Sequence, residues 1–148
     1  RYGALQELFS QPNHITQALI FRRTRIGVDK LVNYLKRIGL DVQGIHGDIT
    51  QVQRDNVMAK FRSKHLRVLV ATNLAARGLD IPAVSHVINY DMPDTVEDYI
   101  HRIGRTARMG KPGTAITFVS EWDFQMLDTL QNHIGGELEG KHLNLYKS

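Results

Sequence analysis

Arg102, Arg105 and Arg108 recur at every third position, with Gly104 and Gly110 beside them. Three guanidiniums this close repel one another unless anions lie among them, and the planar fork of arginine suits phosphate. Gripping phosphate is one use for such a run; keeping a solvated helix face soluble is the other. A second polar stretch, Thr72-Asn73-Leu74-Ala75-Ala76-Arg77-Gly78-Leu79-Asp80, ends on an aspartate able to accept hydrogen bonds from a ribose hydroxyl. The same aspartate, close before Pro82, also fits an ordinary turn. Thr72 can donate to a phosphate or satisfy a backbone group at a strand end. A third stretch runs His46-Gly47-Asp48, with Gln51 and Arg54 downstream.

Other chemistries find little support. The chain has no cysteine, so disulfides and thiolate metal sites are excluded. Its seven histidines show no ligand spacing, and no metal site is expected. His46 and His101 read as hydrogen-bonded structure before they read as ligands. There is no G-x-x-x-x-G-K-[ST] phosphate loop and no acidic magnesium box after a strand. Arginines that sense phosphate are present without the parts that cradle a nucleotide. That imbalance fits an arginine finger offered across an interface. Trp122, Phe124, Met126 and Leu127 are expected to pack a helix rather than to stack on bases.

The elements that must carry these clusters alternate along the chain, as in a parallel α/β sheet. Ala18 to Phe21 reads as a buried strand. Val28, Leu31, Val32, Leu35 and Ile38 then repeat at helical spacing, and Gly39 stands where a left-handed cap is wanted. A strand follows from about Asp41 to His46. Thr50-Gln51-Val52-Gln53 has the spacing of a capping box for a helix reaching Arg62. Further strands are expected over 67–71, 84–89 and 114–119. Thr95 opens a short helix through Ile100, and Ser120 caps a last helix ending near Gly135-Gly136. In an open parallel sheet, ligands bind beyond the carboxyl ends of the strands, where all three polar clusters fall. Periodicity leaves the strand order open, and no repeats or linkers interrupt the chain.

The chain has 148 residues, 42% hydrophobic and 23% charged, and fits a single domain with its own core. A net charge of +4 favours polyanionic partners without requiring them. No apolar run approaches the roughly 20 residues of a membrane span. Arg1 in place of an initiator methionine is expected to mark a cut within a longer protein. The polar tail over about 137–148 is expected to be loosely attached.

Taken together, the clusters resemble the C-terminal RecA-like domain of DEAD-box ATP-dependent RNA helicases, over nearly the whole chain. Ala71 to Asp80 is similar to that family's motif V and His101 to Arg108 to its motif VI. Ala18 to Arg25 resembles motif IV, and His46 to Arg54 the segment called IVa. Asn89-Tyr90-Asp91-Met92-Pro93 is similar to the family's approach to motif VI. The resemblance implies a three-layer RecA-like fold, a parallel sheet with helices on both faces.

By the same resemblance, Arg105 and Arg108 are expected to be arginine fingers on ATP held by a missing N-terminal RecA-like domain. Asp80 is expected on the ATP ribose. Gly47, Arg54, Thr72, Arg77 and Gly78 are expected on the RNA backbone, and Gln51 with His101 in a link between RNA contact and nucleotide sensing. Mg²⁺ ligands are expected on the N-terminal domain. The partners implied are RNA without sequence preference, that N-terminal domain and regulatory proteins, with no membrane. The setting implied is intracellular, cytoplasmic first, with the nucleus left open. Asn73 stands where many members have Asp, and Ala107 where many have Gly. Arg22-Arg23 is more basic than usual, adding a phosphate contact or nothing. Two rival readings remain: a binding module without catalysis, and a duplex-DNA translocase.

Overall fold

The computed structural model describes residues 2–11, 15–104 and 113–134. Arg105 and Arg108, the end of the last helix at Gly135-Gly136 and the tail over 137–148 lie outside them. A five-stranded, all-parallel sheet forms the middle layer, in the order β2-β3-β1-β4-β5. The strands are β1 (Ala18–Arg22), β2 (Val42–Ile45), β3 (Val68–Thr72), β4 (His86–Asn89) and β5 (Thr114–Thr117). The helices are α1 (Tyr2–Ser10), α2 (Arg25–Arg37), α3 (Gln51–Arg62), α4 (Asn73–Ala76), α5 (Val96–Ile103) and α6 (Phe124–Ile134).

The alternation of side chains along each strand divides the core in two. Ala18, Ile20, Val68, Val70 and Ile88 face one way, packing with Leu5 of α1 and Val28, Leu31 and Leu35 of α2. Leu19, Phe21, Leu69, Ala71 and Val87 face the other way, against Val57, Met58 and Phe61 of α3 and Ala75 and Ala76 of α4. Both faces are thus covered, as parallel sheets require, and the three-layer RecA-like architecture is confirmed. Met92, Tyr99 and Leu130 make a third, smaller core that docks α6 on α5.

Local signals hold where they are strong. Thr24 caps α2 by accepting from the Gly27 amide, and the α2 end closes as a Schellman motif. There Gly39, at φ +93°, donates to Lys36, and Leu40 donates to Leu35. The Thr50–Gln53 capping box is present in both directions. α5 runs to Ile103 rather than Ile100, its last turn closed by the Gly104 amide on the Ile100 carbonyl. α1 and α4 were not foreseen, being short and lacking a full apolar period. The four aromatic and apolar residues around Trp122 divide. Met126 and Leu127 pack against the third core, while Trp122 in the preceding 3₁₀ turn and Phe124 stay exposed, correcting half of that expectation. Among the described residues no helix is long and apolar enough to cross a membrane.

Candidate functional site

The strand register sets the site. Ile45, Ala71, Phe21, Asn89 and Thr117 stand level across all five strands. The polar clusters begin just past this row, at one edge of the sheet. β1 leads outward to β2, whereas β3 leads across β1 to β4, so the strand order reverses between β1 and β3. Ligands of open α/β sheets favour such a point. A shallow cleft there is lined by Phe21, Asn73, Ala76, Arg77, His101 and Arg102.

On the β2 side, His46 is buried and its imidazole is orientated twice. The Asp48 amide donates to Nδ1 at 3.1 Å, which leaves the hydrogen on Nε2 to meet Asp29 at 3.0 Å. Asp48 pairs with Arg25 at 2.6 Å, joining this turn to the start of α2. Gly47 is exposed at its tip. Arg54 reaches under the turn, donating from Nη2 to the His46 carbonyl at 3.4 Å. Its Nε is buried without a hydrogen-bond partner.

Thr72 ends β3 and is nearly buried. Its hydroxyl accepts from the Ala75 amide at 3.2 Å, so it caps α4 and meets the backbone need that a strand-end threonine can serve. Gly78, at φ +75°, swings the chain out of α4, a conformation that residues with a Cβ rarely adopt. Asp80 is exposed, and its carboxylate makes no hydrogen bond or ion pair among the described residues. Its carbonyl accepts from Arg62, and the fully buried Ile81 anchors the segment behind it. Arg77, mostly exposed, pairs with Asp98 of α5 at 3.1 Å.

Arg102 departs most from the sequence reading. It is 4% exposed and points inward rather than towards solvent. Its guanidinium donates to Asn73 Oδ1, Asn89 Oδ1 and the Asp91 carbonyl, all at 3.0–3.1 Å, and lies over the Phe21 ring at 4.8 Å. Every one of these oxygens is formally neutral. Burial pulls its pKa down to about 10, against the charges of Asp98, Asp91 and Asp94, and the group stays protonated at neutral pH. Arg102 is therefore a tie between the ends of β3 and β4 and the last turn of α5. Sequence reasoning missed this role, because its partners come from three separate segments.

Arg22, partly buried, and Arg23, exposed, also find their partners within the domain. Arg22 bonds Asp91 at 2.9 Å, the Tyr2 hydroxyl and the Gly27 carbonyl, and covers the Tyr90 ring. Burial opposes its charge, but Asp91 and Tyr2 outweigh that and raise its pKa. Arg23 donates to the Met92 carbonyl and sits 3.5 Å from Asp94.

His101 is exposed in the cleft, while the Gln51 amide donates to Asp55 on its own helix. Among the described residues no hydrogen bond joins Gln51 to His101. No group of three acidic or histidine side chains among them could hold a metal ion. The cleft thus gathers Arg77, His101 and Arg102, with Asp80 nearby in sequence and the turn at Gly47 after the flanking strand; Arg105 and Arg108 lie outside the described residues.

A five-stranded parallel sheet of RecA-like form, with its polar clusters at the carboxyl edge, is the class of fold that the site defines. The chain belongs to the helicase conserved C-terminal domain family, whose model matches residues 1–110, and within it to the DEAD-box branch. It is 46% identical over 139 residues to the ATP-dependent RNA helicase eIF4A of Scheffersomyces stipitis, covering 94% of this chain and 35% of that one. Among solved structures it resembles the E. coli DEAD-box protein SrmB bound to regulator of ribonuclease activity A. The TM-score is 0.83 at 40% identity, over 89% of this chain and 77% of that one. It also resembles S. cerevisiae Dbp5 bound to RNA and ADP BeF3, with a TM-score of 0.82 at 38% identity, over 91% and 36%. The chain spans about a third of the length of the curated relative it matches.

Proposed function

We propose that this domain is the second motor domain of an ATP-dependent RNA helicase, completing a site whose other half lies on an N-terminal RecA-like domain. The observation that carries the reading is the level row of strand ends with its open donors and acceptors. Arg54 keeps a buried Nε unpartnered, Asp80 keeps its carboxylate free of described partners, and Arg77 stands exposed. Gly47, Arg54, Thr72, Arg77 and Gly78 would hold the sugar-phosphate backbone of one RNA strand. Contacts of that kind carry little sequence information and weaken with salt.

ATP, with Mg²⁺ held by the N-terminal domain, would supply the phosphoryl group whose transfer ends the closed state. Asp80 would accept from the ribose hydroxyls. Arg105 and Arg108 would place positive charge where the transferring group gains negative charge, an effect worth about 10³ to 10⁵ in turnover. Arg102 does not join them; it fixes α5, the helix that precedes them in sequence. Gln51 would have to leave Asp55 to reach His101, so their link would belong to the closed, RNA-bound state. Regulatory proteins are further partners on this reading, as SrmB's complex illustrates for that relative.

The test is RNA-stimulated ATP hydrolysis by the full-length protein, with Arg105→Ala beside wild type. The expected outcome is hydrolysis that depends on RNA and falls at least about 10³-fold in the folded variant. This domain alone is expected to hydrolyse no ATP. Wild-type turnover in Arg105→Ala would remove the finger role. A full-length protein that binds RNA yet never hydrolyses ATP would make this a binding module.

A further inference from the structure

Asp98 lies on α5 one turn before Arg102, and its side chain is 16% exposed, whereas that of its partner Arg77 is 61% exposed. The two ends of this ion pair are held very differently. The backbone of Asp98 is fixed, because its amide donates to the Thr95 cap at 3.0 Å. Arg77 is the extended residue that closes α4, and Gly78 at φ +75° follows it. The arginine can therefore swing towards solvent, while the carboxylate stays with the helix. The same carboxylate supports the buried charge of Arg102 from a distance, so it keeps a task after Arg77 departs.

An ion pair with one end in solvent shifts an equilibrium only a few-fold. A phosphate offers a guanidinium two parallel charge-assisted hydrogen bonds, a stronger match. Asp98 thus occupies the place that a phosphate would take, and is weak enough to lose it. We propose that Asp98 is a positioning residue for RNA: it holds the Arg77 guanidinium on α5 in the RNA-free domain and yields it to a backbone phosphate of a single RNA strand. RNA occupancy then changes what α5 is tied to, one turn before Arg102 and ahead in sequence of the arginines at 105 and 108. The proposal rests on the reading of Arg77 as an RNA contact.

The experiment is a double-mutant cycle on the full chain. Asp98→Asn, Arg77→Ala and the pair together are titrated against a fluorescein-labelled oligouridine of roughly 12 nucleotides, by anisotropy over a range of salt. Asp98→Asn is expected to tighten binding about three-fold, and that gain is expected to vanish in the Arg77→Ala background. Asp98→Ser, which removes the charge with a different side chain, must behave the same way; the Thr95 cap uses the backbone and survives both changes. Unchanged or weaker binding in the folded Asp98 variants overturns the proposal. So does a gain of equal size without Arg77, since Asp98 would then act as a mere repulsive charge. Arg77→Ala should also lower the slope of log K against log salt by about 0.7. If it alters neither affinity nor slope, the RNA contact itself is wrong, a failure separate from that of the Asp98 hold.

Discussion

The two ends of the sheet use the same kinds of side chain in opposite ways. At the amino ends of the strands, Gln17 gives its amide hydrogens to the Phe61 and Leu66 carbonyls at 2.7 and 3.0 Å. Arg67 clamps the Ile15 carbonyl with two donors and lies over Phe9. Ser85 donates to the Gln17 carbonyl and receives the Thr16 and Gln17 amides. These donors are spent on tying strand starts together. At the carboxyl ends, Arg54 retains a donor and Asp80 a carboxylate without partners among the described residues, and Arg77 a partner it can exchange. An end whose polar groups are consumed internally contributes stability. An end that leaves them open forgoes some stability and can bind a ligand.

Arg102 is the exception at the carboxyl end, and it gives the largest expected effect. Arg102→Ala removes hydrogen bonds from the buried Asn89 oxygen and two partly buried oxygens at once and opens a space beside Phe21. The domain should lose about 3 kcal/mol in denaturant unfolding. A loss below about 1 kcal/mol would mean that Arg102 is not a tie, and the division between closed and open ends would need redrawing.

Gln17→Ala tests the amino end. It removes two buried hydrogen bonds, leaving the Phe61 carbonyl with the Lys64 amide and the Leu66 carbonyl without its side-chain donor, and should cost about 2 kcal/mol. Affinity for single-stranded RNA, measured on the folded protein, should stay as in wild type. Weakened RNA binding together with the stability loss would show that the two ends are not independent.

How much of this was legible in the sequence depended on the range of the interaction. Caps and helix ends, such as Thr50–Gln53 and the Gly39 turn, are decided within about six residues, and the sequence placed them correctly. The alternation of strand and helix placed the three polar clusters at one edge before any coordinates. The strand order was not legible, because a pattern of buried strands is the same in any order. Nor was the burial of Arg102. It looked like one of three equivalent arginines, and only the joint arrival of Asn73, Asn89 and Asp91 takes it out of the phosphate-binding set. The same long-range pairing absorbs Arg22 and Arg23, through Asp91, Tyr2 and Met92. Gln51 and His101 were expected to meet, and in this arrangement the Gln51 amide turns to Asp55 instead.

The smallest effect on stability is expected at Arg54, and it sharpens the comparison most. Arg54 has one long hydrogen bond, to the His46 carbonyl at 3.4 Å, and an Nε that burial leaves unsatisfied. Its removal forfeits little and relieves a desolvated donor, so Arg54→Met, which keeps much of the apolar stem, should change stability by no more than about 0.5 kcal/mol. RNA affinity should nevertheless fall about five-fold, and the salt slope should drop by about 0.7, as expected when one phosphate contact on a single strand is lost. Equilibrium unfolding and oligouridine titration on the same preparation check both halves. A large stability loss with unchanged RNA binding would place Arg54 with Gln17 and Arg67 among the residues that hold the fold. The orphaned donor would then no longer mark the carboxyl edge as a binding surface.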